Sequence, residues 1–347
     1  MMKIKRREDR IVDGLKDLFD SFGYKYYKMR KFEGYSLYME NKNFLSDENI
    51  ITFNHGGKLL ALKPDVTLSI VKNAKAYEEK GEKLYYKESV FRYDRKSEEY
   101  KEINQIGLEV MGKIDFKTDL EILFLALKSL SAISDKYMLC ISNTGIINGI
   151  FDYLKITKYE YKKAVVECIK NKNKHELNSV LNEIKLDEEG KKIFIDLIDG
   201  VIPSISEISE SAEILNKTIN YMSELGFKDN IKVDFSVISD LDYYNGTVFN
   251  GYINEIPKVI LSGGRYDGLV EKFGSDISAE GFAIYLDDLL YLNDETEFDV
   301  DVLLIPSENT DPSVVLKKAE EYINNGESVR ISNTESVDLK FRRKEFI

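Results

Sequence analysis

The sequence predicts an α+β fold, and two observations carry that reading. Strand-like runs rich in aromatic and β-branched residues fill residues 1–145 and return at 226–296. Between them, residues 146–225 carry helical periodicity, many Lys and Glu, and few strand signals. Strands clustered in this way, rather than alternating regularly with helices, argue against a doubly wound sheet. The expected organisation is a core from 1–145 and 226–296, a helical insertion at 146–225, and a short βαβ unit at 297–347.

Each element follows from local pattern. Ile11, Leu15, Leu18, Phe19 and Phe22 recur at helical spacing before Gly23, which predicts a helix over 5–22. Thr52-Phe53 and the run at 58–62, separated by Gly56-Gly57, predict a β-hairpin. Pro64 breaks that strand and opens a helix, with Asp65 or Thr67 as its N-cap. Strands are expected at 83–93 and 103–112, joined by a charged loop from Asp94 to Glu102, and an apolar helix over 119–133. Further strands are expected at 231–237, 244–252, 258–261 and 281–286, with a helix from about Asp267. From Phe298 the pattern is strand, helix (313–325), strand, followed by a basic segment at 340–347 that reads as a solvated tail or a docking segment.

Composition narrows the function classes. The 347 residues hold 49 Lys plus Arg against 61 Asp plus Glu, a formal net charge of −12. Tight nucleic-acid binding needs the opposite balance and is not expected, although a local basic patch is compatible with it. Cys140 and Cys168 sit in apolar surroundings without CxxC spacing, which fits neither a disulfide framework nor a zinc site. With only His55 and His175, a histidine-based metal site or a Ser-His-Asp triad is poorly supplied. The charged start leads into no apolar stretch, and no window of 18 apolar residues occurs. The expectation is a soluble, cytoplasmic protein without metal or cofactor.

Four segments carry chemistry. They are Leu62–Thr67 (LeuLysProAspValThr), Phe91–Arg95 (PheArgTyrAspArg) with Gln105–Glu109 (GlnIleGlyLeuGlu), Leu241–Phe249 (LeuAspTyrTyrAsnGlyThrValPhe), and Gly263–Gly268 (GlyGlyArgTyrAspGly). Singly each is weak, because GlyGly is usually turn and TyrTyr usually core. In this order, over roughly residues 1–296, they resemble the histidyl-tRNA synthetase family. That resemblance implies a class II synthetase-like antiparallel sheet flanked by helices, with a histidine pocket. Histidine presents an ammonium and an imidazole N–H, both donors, so acceptors must converge on it.

By the same resemblance Asp65, Thr67 and Gln105 face the ligand's amino end, Glu109 and Tyr244 its imidazole, and Tyr266 forms an aromatic wall. Arg92 is retained from motif 2, and Tyr243 joins the set as the likelier packing member of its pair, because alternation in a strand would put Tyr243 and Tyr244 on opposite faces. Asp65 has a second reading as a helix cap, compatible with the first. Glu109, between Leu108 and Val110, has a second reading as a solvated outer-face residue.

Three departures bear on activity. Ser239, followed by Asp240, stands where the family carries an arginine that neutralises the carboxylate during adenylation. Tyr285 and Asp288 replace the glycine and arginine of the Gly-Leu-Glu-Arg run that ends motif 3, and the motif 2 loop is shorter and acidic (Glu98, Glu99, Glu102). A carboxylate in the phosphate path opposes triphosphate binding. This pattern resembles the regulatory subunits of short-form ATP phosphoribosyltransferase: synthetase-like, non-catalytic proteins that join a separate catalytic subunit at the first step of histidine biosynthesis and confer activation and histidine feedback. The expectation is such a subunit, homodimeric within a hetero-oligomer, with no tRNA partner given the net charge of −12. The alternatives are a divergent histidyl-tRNA synthetase and a paralogue regulating another partner.

Overall fold

A computed structural model describes residues 7–39, 50–72, 81–94, 97–238, 243–292, 298–334 and 338–347. Ser239, Asp240, Leu241, Asp242 and Arg95 lie outside the described residues. The chain divides into two compact units, residues 15–289 and residues 1–14 with 290–347.

The larger unit is built on an eight-stranded sheet. Its strands lie side by side in the order Lys25–Tyr26, Glu82–Asp94, Glu99–Gly112, Ser278–Tyr285, Ile256–Arg265, Thr247–Ile253, Tyr137–Asn143 and Ile231–Val233. The six inner strands run antiparallel, and the short edge strands pair parallel. The fold is α+β as expected. The strand Glu99–Gly112 pairs directly with Ser278–Tyr285, from Gly112↔Ser278 to Gln105↔Tyr285, so segments distant in sequence share the centre of the sheet. Helix Phe116–Ile133, capped by Asp115 accepting from the Thr118 N–H at 3.0 Å, packs across one face. Leu123, Leu127 and Leu130 are fully buried with Ile106, Leu108, Phe249 and Ile284. Helices Thr144–Tyr153, Tyr159–Lys170, Lys174–Ile184, Glu188–Ile198 and Ser209–Met222 occupy the stretch read as helical.

Local expectations were met at several points. The first helix is Arg7–Ser21, and Gly23 follows with φ +78°. Strands Thr52–His55 and Lys58–Leu62 form the hairpin, with Gly56 and Gly57 both at positive φ, as its two-residue turn requires.

Others need correction. The charged segment 94–102 is mostly ladder: pairing continues from Glu82↔Met111 to Asp94↔Glu99, leaving only four residues to turn. Charge did not prevent pairing because this end of the ribbon is exposed and Lys101 neutralises Asp94 across it. Tyr243 and Tyr244 are not in a strand, which begins at Thr247, so alternation does not separate them. The strand at 231–237 stops at Val233, where the Asp234 carboxylate accepts from the Ser236 N–H and starts a 3₁₀ turn.

In the smaller unit, strand Val300–Ile305 lies between Val329–Ile331 and Phe341–Phe346, all parallel, with helix Pro312–Asn324 packed through Val315, Ala319 and Tyr322. The basic segment is therefore the third strand and not a tail. Its positive charge is matched: Arg342 reaches Asp301 at 3.0 Å and Arg343 forms a bidentate pair with Glu327 at 2.6 and 3.0 Å.

Candidate functional site

One cavity of about 250 Å³ collects all eight predicted site residues. It opens on the sheet face opposite helix Phe116–Ile133, above the central strands. The floor is bare backbone: Gly107, Gly263, Gly264 and Gly281 lie in four strand positions where a side chain would collide with neighbouring main chain. A Cβ at Gly281 would sit 2.1 Å from the Glu109 carboxylate and 2.2 Å from the Leu108 carbonyl; one at Gly107 would sit 2.2 Å from the Phe282 carbonyl.

Asp65 serves as cap and lining residue together. Pro64 ends the preceding strand, and Asp65, in extended conformation, accepts from the Leu68 N–H at 2.9 Å to start helix Val66–Val71. Its second oxygen accepts from Arg92 Nη2 at 3.1 Å, while Arg92 Nε donates to the Pro64 carbonyl at 2.7 Å. Arg92 Nη1 has no partner among the described residues. The arginine thus holds the helix entry and still presents an N–H to the cavity.

Glu109 is 2% exposed, so the outer-face reading is wrong. Its strand is covered on both faces over this stretch, which is why the polar residue cannot point to water. Thr67, in the first turn of the short helix, donates to Glu109 Oε1 at 2.9 Å, and the Tyr266 hydroxyl donates to Oε2. Thr67 and Glu109, assigned by resemblance to opposite ends of a ligand, are therefore bonded to each other. Burial lifts the Glu109 carboxyl to about 8, with the nearby Asp65 charge adding to the rise and the Tyr266 and Thr67 donors opposing it.

Tyr243 and Tyr244 form an edge-on pair with ring centres 4.7 Å apart, and Tyr243 lies 6.0 Å from Tyr266, giving one aromatic wall. Burial raises the phenol pKa values of Tyr243, Tyr244 and Tyr266, keeping all three hydroxyls protonated. Gln105 enters from the central strand, nearly buried. Sequence reasoning missed Tyr86 and Ser262 as lining residues. Tyr86 could have been found through Gly107, its cross-strand partner: a Cβ there would lie 2.7 Å from the Tyr86 hydroxyl, and glycine inside a strand marks such close approach. Tyr285, read only as a departure, also lines the cavity, with Arg92 close enough to act on its phenol. Asp288 lies beyond it, ion-paired with Lys258 at 3.0 Å.

The cavity is small against the ~300–1,000 Å³ of sites for drug-sized ligands, and suits a metabolite of amino-acid size. It offers two carboxyls, one guanidinium N–H and several phenols, a set for a small zwitterion carrying a further polar group. Among the described residues no three His, Cys, Asp or Glu side chains converge as metal ligands.

Comparison with known proteins adds an independent line. The family model described as histidyl-tRNA synthetase matches residues 3–289. An ATP phosphoribosyltransferase regulatory subunit of Caldanaerobacter subterraneus is 30% identical over 292 residues, covering 79% of this chain and 75% of that protein. A histidine–tRNA ligase of Methanocaldococcus jannaschii is 27% identical over 321 residues, covering 88% and 77%. A Bacillus halodurans crystal structure titled ATP phosphoribosyltransferase regulatory subunit/histidyl-tRNA synthetase superposes with a TM-score of 0.82 at 20% identity, covering 98% of this chain and 93% of that one.

Proposed function

The chain belongs to the histidyl-tRNA synthetase family, and from that premise we propose that it is a non-catalytic regulatory subunit of a short-form ATP phosphoribosyltransferase. In this reading it activates a separate catalytic subunit in the cytoplasm and binds histidine for feedback control. Relatives carrying that name support the partnership. Among the described residues no helix is long and apolar enough to cross a membrane.

The observation that carries the reading is a pocket whose two halves differ. The amino-acid half is complete: Asp65 and Gln105 accept from the ammonium, Glu109 and Tyr244 accept from the imidazole, and Arg92 Nη1 takes the carboxylate. Thr67 and Tyr266 hold Glu109 in place. Each carboxylate oxygen has a second lone pair, so those bonds leave Glu109 able to accept from a ligand. On the other side, Tyr285 lines the cavity at the position the family leaves to glycine, and Asp288, at the position of the family's arginine, offers a triphosphate no cation of its own and is ion-paired with Lys258. Binding without adenylation follows. For histidine to regulate, it must bind two states of the complex unequally.

The test is ATP–pyrophosphate exchange with saturating histidine. The expected result is no histidine-dependent exchange. A rate near that of a true synthetase would establish the second reading, a divergent histidyl-tRNA synthetase, which the archaeal ligase covering 88% of the chain favours.

The proposal includes a homodimer. Tyr26, Phe32, Phe53 and Leu59 expose apolar area on the larger unit, whereas Tyr24 is 3% exposed and bonded to Glu121 at 3.0 Å. Sedimentation at micromolar concentration should give twice the 40.0 kDa chain mass; a monomer would count against it.

A further inference from the structure

A second polar cavity, of about 340 Å³, lies on the helix side of the sheet and shares no residue with the first. Strand alternation places it there: Gly281 looks into the first pocket, so its neighbour Glu280 leaves by the other face. Glu280 is fully buried, and neither carboxylate oxygen has a hydrogen-bond partner among the described residues. Asp119, on helix Phe116–Ile133, lies near it, and burial together with the Asp119 carboxylate pushes the Glu280 carboxyl well above the usual range. Asp119 itself is 7% exposed, has Oδ1 unpartnered, and lines the cavity.

Buried carboxyls without donors are costly and rare, and three oxygens of this pair lack one among the described residues. Arg265 pairs with Glu280 across the ladder and also lines the cavity. Its Nε donates to Asp267 at 2.8 Å and its Nη2 to Ser278 at 2.9 Å, which leaves Nη1 without a partner among the described residues. Asn143, Asn148, Glu210 and Ser211 are among its other lining residues.

We propose that this cavity is a second binding site for an α-amino acid, its ammonium seated on Asp119 with Glu280 behind, and its carboxylate held by Arg265. An ammonium supplies the donors that the two carboxyls lack, and a carboxylate supplies the acceptor for Nη1. Arg265 also sits one residue before Tyr266 of the first pocket, so occupancy here touches the same strand end. The inference stands on its own residues and does not depend on the regulatory reading.

Calorimetric titration with each of the twenty protein amino acids in turn tests it, on wild type, Glu109→Gln, Asp119→Asn and Asn148→Leu. At least one amino acid should bind wild type and Glu109→Gln alike, and be weakened about tenfold or more by Asp119→Asn and by Asn148→Leu. Asn148→Leu fills the cavity without touching the acid pair, so it decides the matter if Asp119→Asn fails to fold. If no amino acid binds independently of Glu109, or if such binding ignores Asn148→Leu, the proposal is wrong.

Discussion

Glu109 shows how a single buried residue can be read from both sides of its energetics. Its carboxyl is pushed to about 8 in the folded chain against 4.5 ordinarily, so between those values the native state holds a proton that the unfolded state has released. Stability of the ligand-free protein therefore falls as pH rises through this window, and is greatest below it. Glu109→Gln removes the titrating group while keeping the shape, and its stability should be nearly flat where wild type declines. Thermal denaturation of both proteins between about pH 5 and 8 measures this; parallel profiles would show that Glu109 ionises freely in the fold. The residue's place in the pocket was legible in the sequence through the resemblance, but its burial was not. Leu108 and Val110 identify one face of the strand, while the cover on the other face comes from Thr67 and Tyr266, 42 and 157 residues away.

At the scale of elements, hairpins and helix starts were legible because local chemistry determines them. Gly56-Gly57 made a turn, and Pro64-Asp65 ended a strand and capped a helix. The errors came where partners are distant. Glu99–Glu102 look like loop until the opposite strand is known, and Phe341–Phe346 look like a charged tail until Asp301 and Glu327 are placed beside them. The bare floor of the first pocket belongs to this scale too, since three neighbouring strands must supply glycines beside one another. Gly281→Ala would drive a methyl group into the Glu109 carboxylate and the Leu108 carbonyl. Overpacking of this kind costs typically about 1–3 kcal/mol, and here it should also abolish ligand binding by displacing Glu109. Denaturant midpoints with histidine titration would show both losses; an alanine variant of wild-type stability and affinity would contradict the close packing assigned to this position.

For the whole molecule, the family's fold is retained. The four motif segments, dispersed over some 200 residues of sequence, are brought to one cavity by the central pairing of Glu99–Gly112 with Ser278–Tyr285. Their order in the chain was enough to anticipate the convergence, while the second cavity left no motif at all, because Asp119, Arg265 and Glu280 are ordinary residues until the sheet aligns them. The central claim is that histidine acts through the first pocket on a partner enzyme. The most direct test mixes this chain with a short-form catalytic ATP phosphoribosyltransferase and follows phosphoribosyl transfer as histidine is added, using wild type, Glu109→Gln and Tyr244→Phe. Activity should require this chain and fall with histidine, and above about pH 8, where Glu109 is ionised, Glu109→Gln should move the inhibition midpoint about ten- to hundredfold, as expected for a charged hydrogen bond worth roughly 1.5–3 kcal/mol. Midpoints for both variants within twofold of wild type would contradict it, because histidine would then act from somewhere other than this pocket.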